Sequence, residues 1–152
     1  MAISQTATTS FKVQLLQAVH NFGPTTPNTF KVALFTAAAN LSASTTAYTV
    51  GMTGEVAGGG GYTVGGNTLV ISTSPTSGNN TAGVPTAFIS FNNTSWTNAT
   101  FTCRGALIYN DSVAGDPSVA VLDFGSDKTV NNDTFQIIFP TPDANSAIVR
   151  IS

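Results

Sequence analysis

The side chains that could carry out chemistry are few and lie far apart along the chain. His20 is the only histidine, Cys103 is the only cysteine, and the seven carboxylates are scattered between Glu55 and Asp143. A catalytic nucleophile needs a base beside it, and zinc needs closely spaced His or Cys ligands. The sequence offers neither arrangement. We therefore expect no catalytic residue, no metal ligand and no cofactor, and we predict that the protein is not an enzyme.

Two sets of residues have the composition of a ligand-binding site but lack other residues that such a site needs. The glycine-rich residues 58–66 could cradle a phosphate only between a strand and a helix, with a lysine at hand, and no lysine follows them. We interpret this run as a mobile surface loop or a close contact with a neighbouring subunit. Loop-end carboxylates could also form a calcium site if the strands bring them together. These are Asp111, Asp116, Asp123 and Asp127.

Composition indicates an all-β domain with an uncharged, hydroxyl-rich surface. Only 8% of residues are charged, whereas 24 Thr, 14 Ser and 13 Asn make up a third of the chain. Threonine and the β-branched apolar residues favour half-buried pleated strands. The five basic residues are scattered and the net charge is −2, which argues against nucleic-acid binding. No apolar run approaches the ~18 residues of a membrane-spanning helix, so we expect no membrane contact.

A predicted hairpin lies at the centre of the elements that would position any functional site. Residues 101–109 and 119–124 form two apolar runs, and residues 110–117 between them are rich in turn-forming side chains. Alternation of apolar and polar residues predicts further strands. These are residues 30–36, 67–72, 87–91, 134–140 and 147–151, with flexible loops expected at 37–66 and 74–85. Seven to eight short strands predict a β-sandwich or jelly roll.

The N-terminal part contains the one helical pattern. Phe11, Leu15, Val19 and Phe22 share a face, so we predict a helix from Phe11 to Phe22, capped by Ser10 and stopped by Gly23 and Pro24. Residues 1–9 are polar and aperiodic, and we expect a flexible arm there, followed by a single domain over 10–152. This segment lacks the pattern of a secretory signal, so we expect synthesis in a cytoplasm.

Several stretches together resemble one group of proteins. They are residues 30–36 (FKVALFT) with 39–41 (ANL), 45–49 (TTAYT), 54–56 (GEV) with 61–66 (GYTVGG), 104–110 (RGALIYN) and 119–128 (VAVLDFGSDK). This pattern resembles small virion structural proteins of tailed bacteriophages, and within that group it is most similar to capsid cement or decoration proteins. The resemblance implies a non-enzymatic protein of the capsid surface that binds the major capsid protein and stabilises the head shell.

The low charge of the chain also favours self-association, because it weakens electrostatic repulsion between copies. We expect a homotrimer that packs through strand edges or through residues 58–66, with the arm over 1–9 ordered only on a neighbour or on the capsid shell. Two alternatives stay open. The chain could be a carbohydrate-binding jelly-roll module of a tail fibre, with Trp96 and Tyr62 as stacking platforms, or a tail or neck structural subunit. Trp96 could equally be a core aromatic residue.

Overall fold

Two antiparallel sheets pack face to face. The structure, a computed structural model, describes residues 2–152. The elements in chain order are β1 (Thr6–Ala7), α1 (Thr9–Leu16), β2 (Phe30–Phe35), β3 (Asn67–Leu69), β4 (Ile71–Asn79), β5 (Pro85–Phe91), β6 (Thr94–Asn110), β7 (Ser118–Ile137) and β8 (Val149–Ile151). One sheet has the order β1-β7-β6-β2-β3 and the other β4-β5-β8. The predicted all-β sandwich with one N-terminal helix is confirmed. Across the described residues, no helix has the length and apolar character to cross a membrane.

The β6–β7 hairpin lies at the centre of the larger sheet and contributes to two hydrophobic cores. Side chains alternate across a strand, so neighbouring residues of β6 point to opposite faces. Ala106 and Ile108 enter a large core between the two sheets. Leu107 and Tyr109 enter a smaller core on the opposite face. Both faces of this strand are therefore buried, and the fold has to cover each of them.

The large core is rich in aromatic rings. Phe22 stacks on Phe30 with ring centroids 4.4 Å apart and nearly parallel planes. Phe91 of β5 reaches the same pair from the smaller sheet, with its ring centroid 5.8 Å from that of Phe30. This contact ties β2 to β5. Burial of a Phe side chain contributes about 1.5–3 kcal/mol, so the cluster is a main source of stability.

The small core is covered by irregular segments rather than by strands. Tyr48 stacks on Tyr109 at a centroid distance of 4.3 Å. Ala39, Leu41 and Ile3 complete this cover and are all buried. Residues 36–66 thus act as a lid over one face of the larger sheet, although we expected flexible loops over 37–66.

The helix is shorter than its apolar spacing predicts. It ends at Leu16, and Ala18 takes a positive φ of 57°, which breaks the helical path. Its N-cap is Thr8 rather than Ser10, because the Thr8 hydroxyl accepts the Phe11 N–H at 3.3 Å. Phe22 lies outside the helix, where it stacks on Phe30. The packing of Phe22 in the core therefore outweighs the preference for a longer helix that the apolar spacing indicates.

The expected arm over residues 1–9 is part of the domain; Met1 lies outside the described residues. Thr6 and Ala7 pair with Val121 and Ala120 of β7. Ile3 bridges to Leu41 and is buried in the small core. A polar, aperiodic segment can still be ordered when its backbone completes a sheet edge, which is what β1 does for β7.

The strands also differ in length from the prediction. β7 continues to Ile137 and absorbs the separate strand expected over 134–140. Its path bends at Gly125, which has a φ of 76° beside a break in the β6–β7 register, so this glycine belongs to a bulge and not to a turn. β4 occupies half of the loop expected over 74–85, and Val70 marks the change from one sheet to the other.

The glycine-rich residues 58–66 pack against their own chain. Thr100 of β6 donates its N–H to the carbonyl of Gly60 at 2.8 Å. A Cβ on Gly61 would lie 2.8 Å from the Thr97 carbonyl oxygen, and one on Gly66 would collide with the Val32 carbonyl. These glycines allow close backbone contact within the domain. The expectation of a mobile loop is therefore wrong at these positions, whereas a contact between subunits through the exposed residues 58–61 stays a prediction.

Substitution of Gly66 by Ala should destabilise the protein strongly, since it adds a backbone collision to the strain of a positive φ. We expect a loss of about 3 kcal/mol or more in the free energy of unfolding, measured by urea denaturation. Gly51→Ala is the matched control. Gly51 has a similar φ of 80°, but a Cβ added there would meet nothing within 4 Å, so its cost should be about 1 kcal/mol. Equal losses for the two variants would contradict the packing of Gly66.

Candidate functional site

Glu55 is the centre of a polar cluster in which several donors converge on one carboxylate. Its two carboxylate oxygens accept the hydroxyls of Tyr48 and Tyr62, each at 2.9 Å, and the Gly65 N–H at 2.7 Å. The Tyr62 hydroxyl also accepts the Leu34 N–H of β2 at 3.1 Å. Three donors satisfy the carboxylate, so the cluster fastens the lid over residues 36–66 to the sheet.

Burial suppresses the acidity of the tyrosines in this cluster. Desolvation raises the pKa of Tyr48 and Tyr62, and the neighbouring Glu55 raises it further. The pKa of Tyr109 is raised by the same burial, and its hydroxyl donates to the Gly65 carbonyl at 2.8 Å. Hydroxyls held neutral in this way act as hydrogen-bond donors, and the cluster is structural. The sequence signal for it was the single Glu between two tyrosines, Tyr48 and Tyr62, each seven residues away.

His20 forms a second buried polar cluster at the turn end of the hairpin. Its Nδ1 lies 3.1 Å from the Asn110 amide nitrogen, and its Nε2 lies 2.9 Å from the Gln14 side-chain oxygen. The amide nitrogen can only donate, so Nδ1 accepts and Nε2 carries the proton. Asn110 also donates to the Asn28 side chain at 3.0 Å. Burial lowers the pKa of His20 from 6.5 to about 4, which keeps the ring neutral at pH 7.

The carboxylates proposed for calcium serve separate contacts. Asp111 pairs with Lys31 at 3.2 Å, Asp127 pairs with Arg104 at 3.6 Å, and Asp123 accepts the Gly125 N–H at 2.8 Å. Among residues 2–152, no three His, Cys, Asp or Glu side chains lie close enough to hold a metal ion. The structure therefore does not bring these four aspartates together.

The side chains proposed for sugar stacking are buried. Trp96 and Tyr62 are each only 3% exposed, so neither presents a ring face to solvent. Trp96 packs with Phe135 in an aromatic cluster beneath the far half of the hairpin. Its indole N–H has no hydrogen-bond partner within the described chain. Cys103 is also buried, and burial raises the pKa of its thiol to about 12, so it serves as an apolar side chain.

The far half of the hairpin is a two-stranded ribbon that extends past the other strands of its sheet. β2 covers β6 only from Gly105 to Asn110, and β1 covers β7 only at two residues. An aromatic cluster supports the inner face of the ribbon, with Phe101 and Phe135 rings 5.4 Å apart. The outer face carries small polar side chains, including the cross-strand pair Thr102 and Thr129 with hydroxyls 2.8 Å apart.

Sheet edges are templates for pairing with another chain, and most edges here are blunted. β1, β3 and β8 contain two or three residues each, and β4 carries Pro75 and two register shifts. Gly60 covers the edge of β6 at Thr100, where its carbonyl accepts the Thr100 N–H. The outer edge of β7 beyond Leu122 makes no backbone pairing with another strand in the described part of the chain. Residues 128–131 are its longest regular section, lying between two breaks in register. We call residues 128–131 the open edge.

Comparison with protein families, with curated proteins and with solved structures gives no match for this chain. The site can therefore be interpreted only from its own geometry. The polar clusters at Glu55 and His20 are internally satisfied and hold the fold together. The open edge of β7 is exposed and lacks a partner strand within residues 2–152, which makes it the candidate functional surface.

The buried neutral His20 should make stability depend on pH. Between pH 6.5 and about 4 the unfolded chain binds a proton at His20 that the folded chain does not, so the free energy of unfolding falls as the pH falls. The loss should reach about 3 kcal/mol below pH 4. Because His20 is the only histidine, its proton NMR signal gives the folded-state pKa directly, and a midpoint near 6.5 would contradict the burial. His20→Gln is the control, and its stability should vary less over this range.

Proposed function

We propose that this protein is a non-enzymatic structural subunit of a tailed-phage virion, a cement protein that binds the major capsid protein on the outside of the head and stabilises the shell. The resemblance described above supplies the class of protein. The open edge of β7 is the single structural observation that carries the proposal. In this mechanism a strand of the capsid protein pairs with residues 128–131 and continues the larger sheet across the contact.

The geometry of the ribbon supports strand addition. A strand that joins a sheet edge gains main-chain hydrogen bonds, and pockets beside such an edge give specificity. One cavity, lined by Phe124, Lys128 and Phe135 among others, lies beside the open edge. The ribbon is stiffened by Phe135, whose ring centroid lies 5.4 Å from that of Phe101 and 6.0 Å from that of Phe124. A stiff edge loses little conformational freedom on binding, which increases affinity.

The chemistry of the outer face also fits a protein partner. The outer face of the ribbon carries a strip of short polar side chains from Thr100, Thr102, Thr129 and Asn131. Such side chains lose little rotamer entropy at an interface, whereas Lys and Glu lose more. Binding repeated over many copies would strengthen the shell through many weak contacts. The buried positions of Trp96 and Tyr62 do not favour the alternative of a carbohydrate-binding module.

The proposed function can be tested by measuring whether the purified protein binds to phage heads. Wild-type protein mixed with expanded heads that lack it should appear at regular positions on the shell by electron microscopy. Thr129→Arg with Asn131→Arg should abolish this addition, because two long cations would stand beside the incoming strand. Thr81→Arg with Ala82→Arg, in the exposed turn between β4 and β5, adds the same charge and should bind normally.

Two outcomes would contradict the proposal. If the wild-type protein does not add to heads but adds to tails, the tail or neck alternative is correct. If the Thr129 and Asn131 variant binds heads as well as the wild type does, the open edge is not the capsid contact. A melting temperature within a few degrees of wild type should be established first for both double variants.

The assembly state is a separate part of the proposal. We expect a homotrimer because the chain carries little net charge and closed rings satisfy every interface. Light scattering coupled to gel filtration should give three times the chain mass of 15.6 kDa. A monomer at working concentration would contradict the trimer. Loss of the trimer in the Thr129 and Asn131 variant would mean that the open edge joins copies to one another and not to the capsid.

A further inference from the structure

A second surface lies on the opposite part of the fold, where α1 meets the end of β8. Two cavities of about 360 Å³ each open there. Leu15, Val149 and Ile151 line both, so the cavities adjoin. We call the pair the α1–β8 groove. None of the residues of the open edge contributes to it.

One half of the α1–β8 groove is apolar. Its walls include Phe22 from the segment after α1 and Phe88 and Ile89 from β5. The apolar surface continues outside the cavity, since Ile151 is 56% exposed and Leu16, next to Leu15 on α1, is 92% exposed. Large apolar side chains left in water beside a groove are typical of a protein-binding surface rather than of an enclosed small-molecule pocket.

The other half of the α1–β8 groove is basic. Lys12 and Arg150 line it, together with Asn80, Thr86 and Ser152, and no Asp or Glu side chain lines either half. Lys31 and Arg104 pair with carboxylates elsewhere, and Lys128 contacts the Ser126 hydroxyl. Within residues 2–152, Lys12 and Arg150 are thus the two side-chain cations with no side-chain partner. Of the three cations without a carboxylate partner in this part of the chain, Lys12 and Arg150 lie on one groove and Lys128 lies at the open edge.

We propose that the α1–β8 groove binds a segment of a partner protein in which a large apolar side chain is flanked by carboxylates. The apolar side chain fills the half lined by Phe22, Phe88 and Ile89. The carboxylates meet Lys12 and Arg150 at the other half. Apolar anchors supply most of the affinity in such contacts, and the charges select the partner and its orientation. This inference goes beyond the proposed function, because it uses a different surface and does not depend on the open edge.

His20 provides a direct reporter, because it lines the apolar half and is the only histidine. The probe is an end-blocked hexapeptide of sequence Gly-Glu-Leu-Phe-Glu-Gly, titrated into the full chain at pH 7 and followed by the His20 ring-proton signal. We expect a saturable shift. A peptide with both glutamates replaced by lysine should bind at least about five-fold more weakly, because it brings like charges together.

Substitutions in the α1–β8 groove test whether the peptide binds there. Lys12→Gln with Arg150→Gln should weaken binding of the acidic peptide by about five-fold or more and should remove the difference between the two peptides. Lys31→Gln with Lys128→Gln removes the same charge from other places and should leave binding unchanged. Ile151→Ser, at an exposed position, should weaken both peptides. The proposal is overturned if the lysine peptide binds equally well, if the Lys12 and Arg150 variant binds normally, or if neither peptide shifts His20 up to about 5 mM.

Discussion

Pairing of β6 with β7 is the constraint on which the rest of the structure depends. The two strands stay paired from Thr94 with Ile137 to Tyr109 with Ser118, across several bulges. Near the turn both faces of β6 are apolar, so neither can be left in water. One face is buried by the smaller sheet and by Phe22. The other is buried by residues 36–66 and Ile3. Much of the remaining chain therefore serves to cover this hairpin.

The covering segments have little regular secondary structure, and buried polar contacts hold them in place. Glu55 fastens residues 36–66 through Tyr48 and Tyr62. His20 and Asn110 fasten the segment after α1 to the hairpin turn. Hydrogen bonds to a charged group contribute about 1.5–3 kcal/mol each, more than neutral ones. A chain with 8% charged residues thus uses one carboxylate where several donors converge, instead of many surface ion pairs.

The sequence predicts those parts of the fold that depend on local pattern. The strands predicted at 30–36 and 87–91, observed at Phe30–Phe35 and Pro85–Phe91, and the centre of the hairpin follow from alternation, and the all-β class follows from composition. The end of α1 could not be predicted, because Phe22 fits a helix face by spacing but is buried by stacking on Phe30. Most of β4 was not predicted as a strand, because its Ser, Thr, Gly and Pro residues have the composition of a loop. The role of Gly60 and Gly66 depends on which distant carbonyls they meet, and that information is absent from local sequence.

The candidate surface was the least predictable part, because an edge is a property of sheet order and not of residue type. Residues 128–131 resemble ordinary polar strand positions until the order β1-β7-β6-β2-β3 leaves their outer side without a neighbour. The breaks in register on either side limit how far a partner strand can pair before it meets an irregular backbone. A long regular edge would invite unlimited pairing between copies and hence aggregation. A short edge between bulges instead leaves room for one brief strand, so the length of the edge would restrict a partner as much as its side chains would.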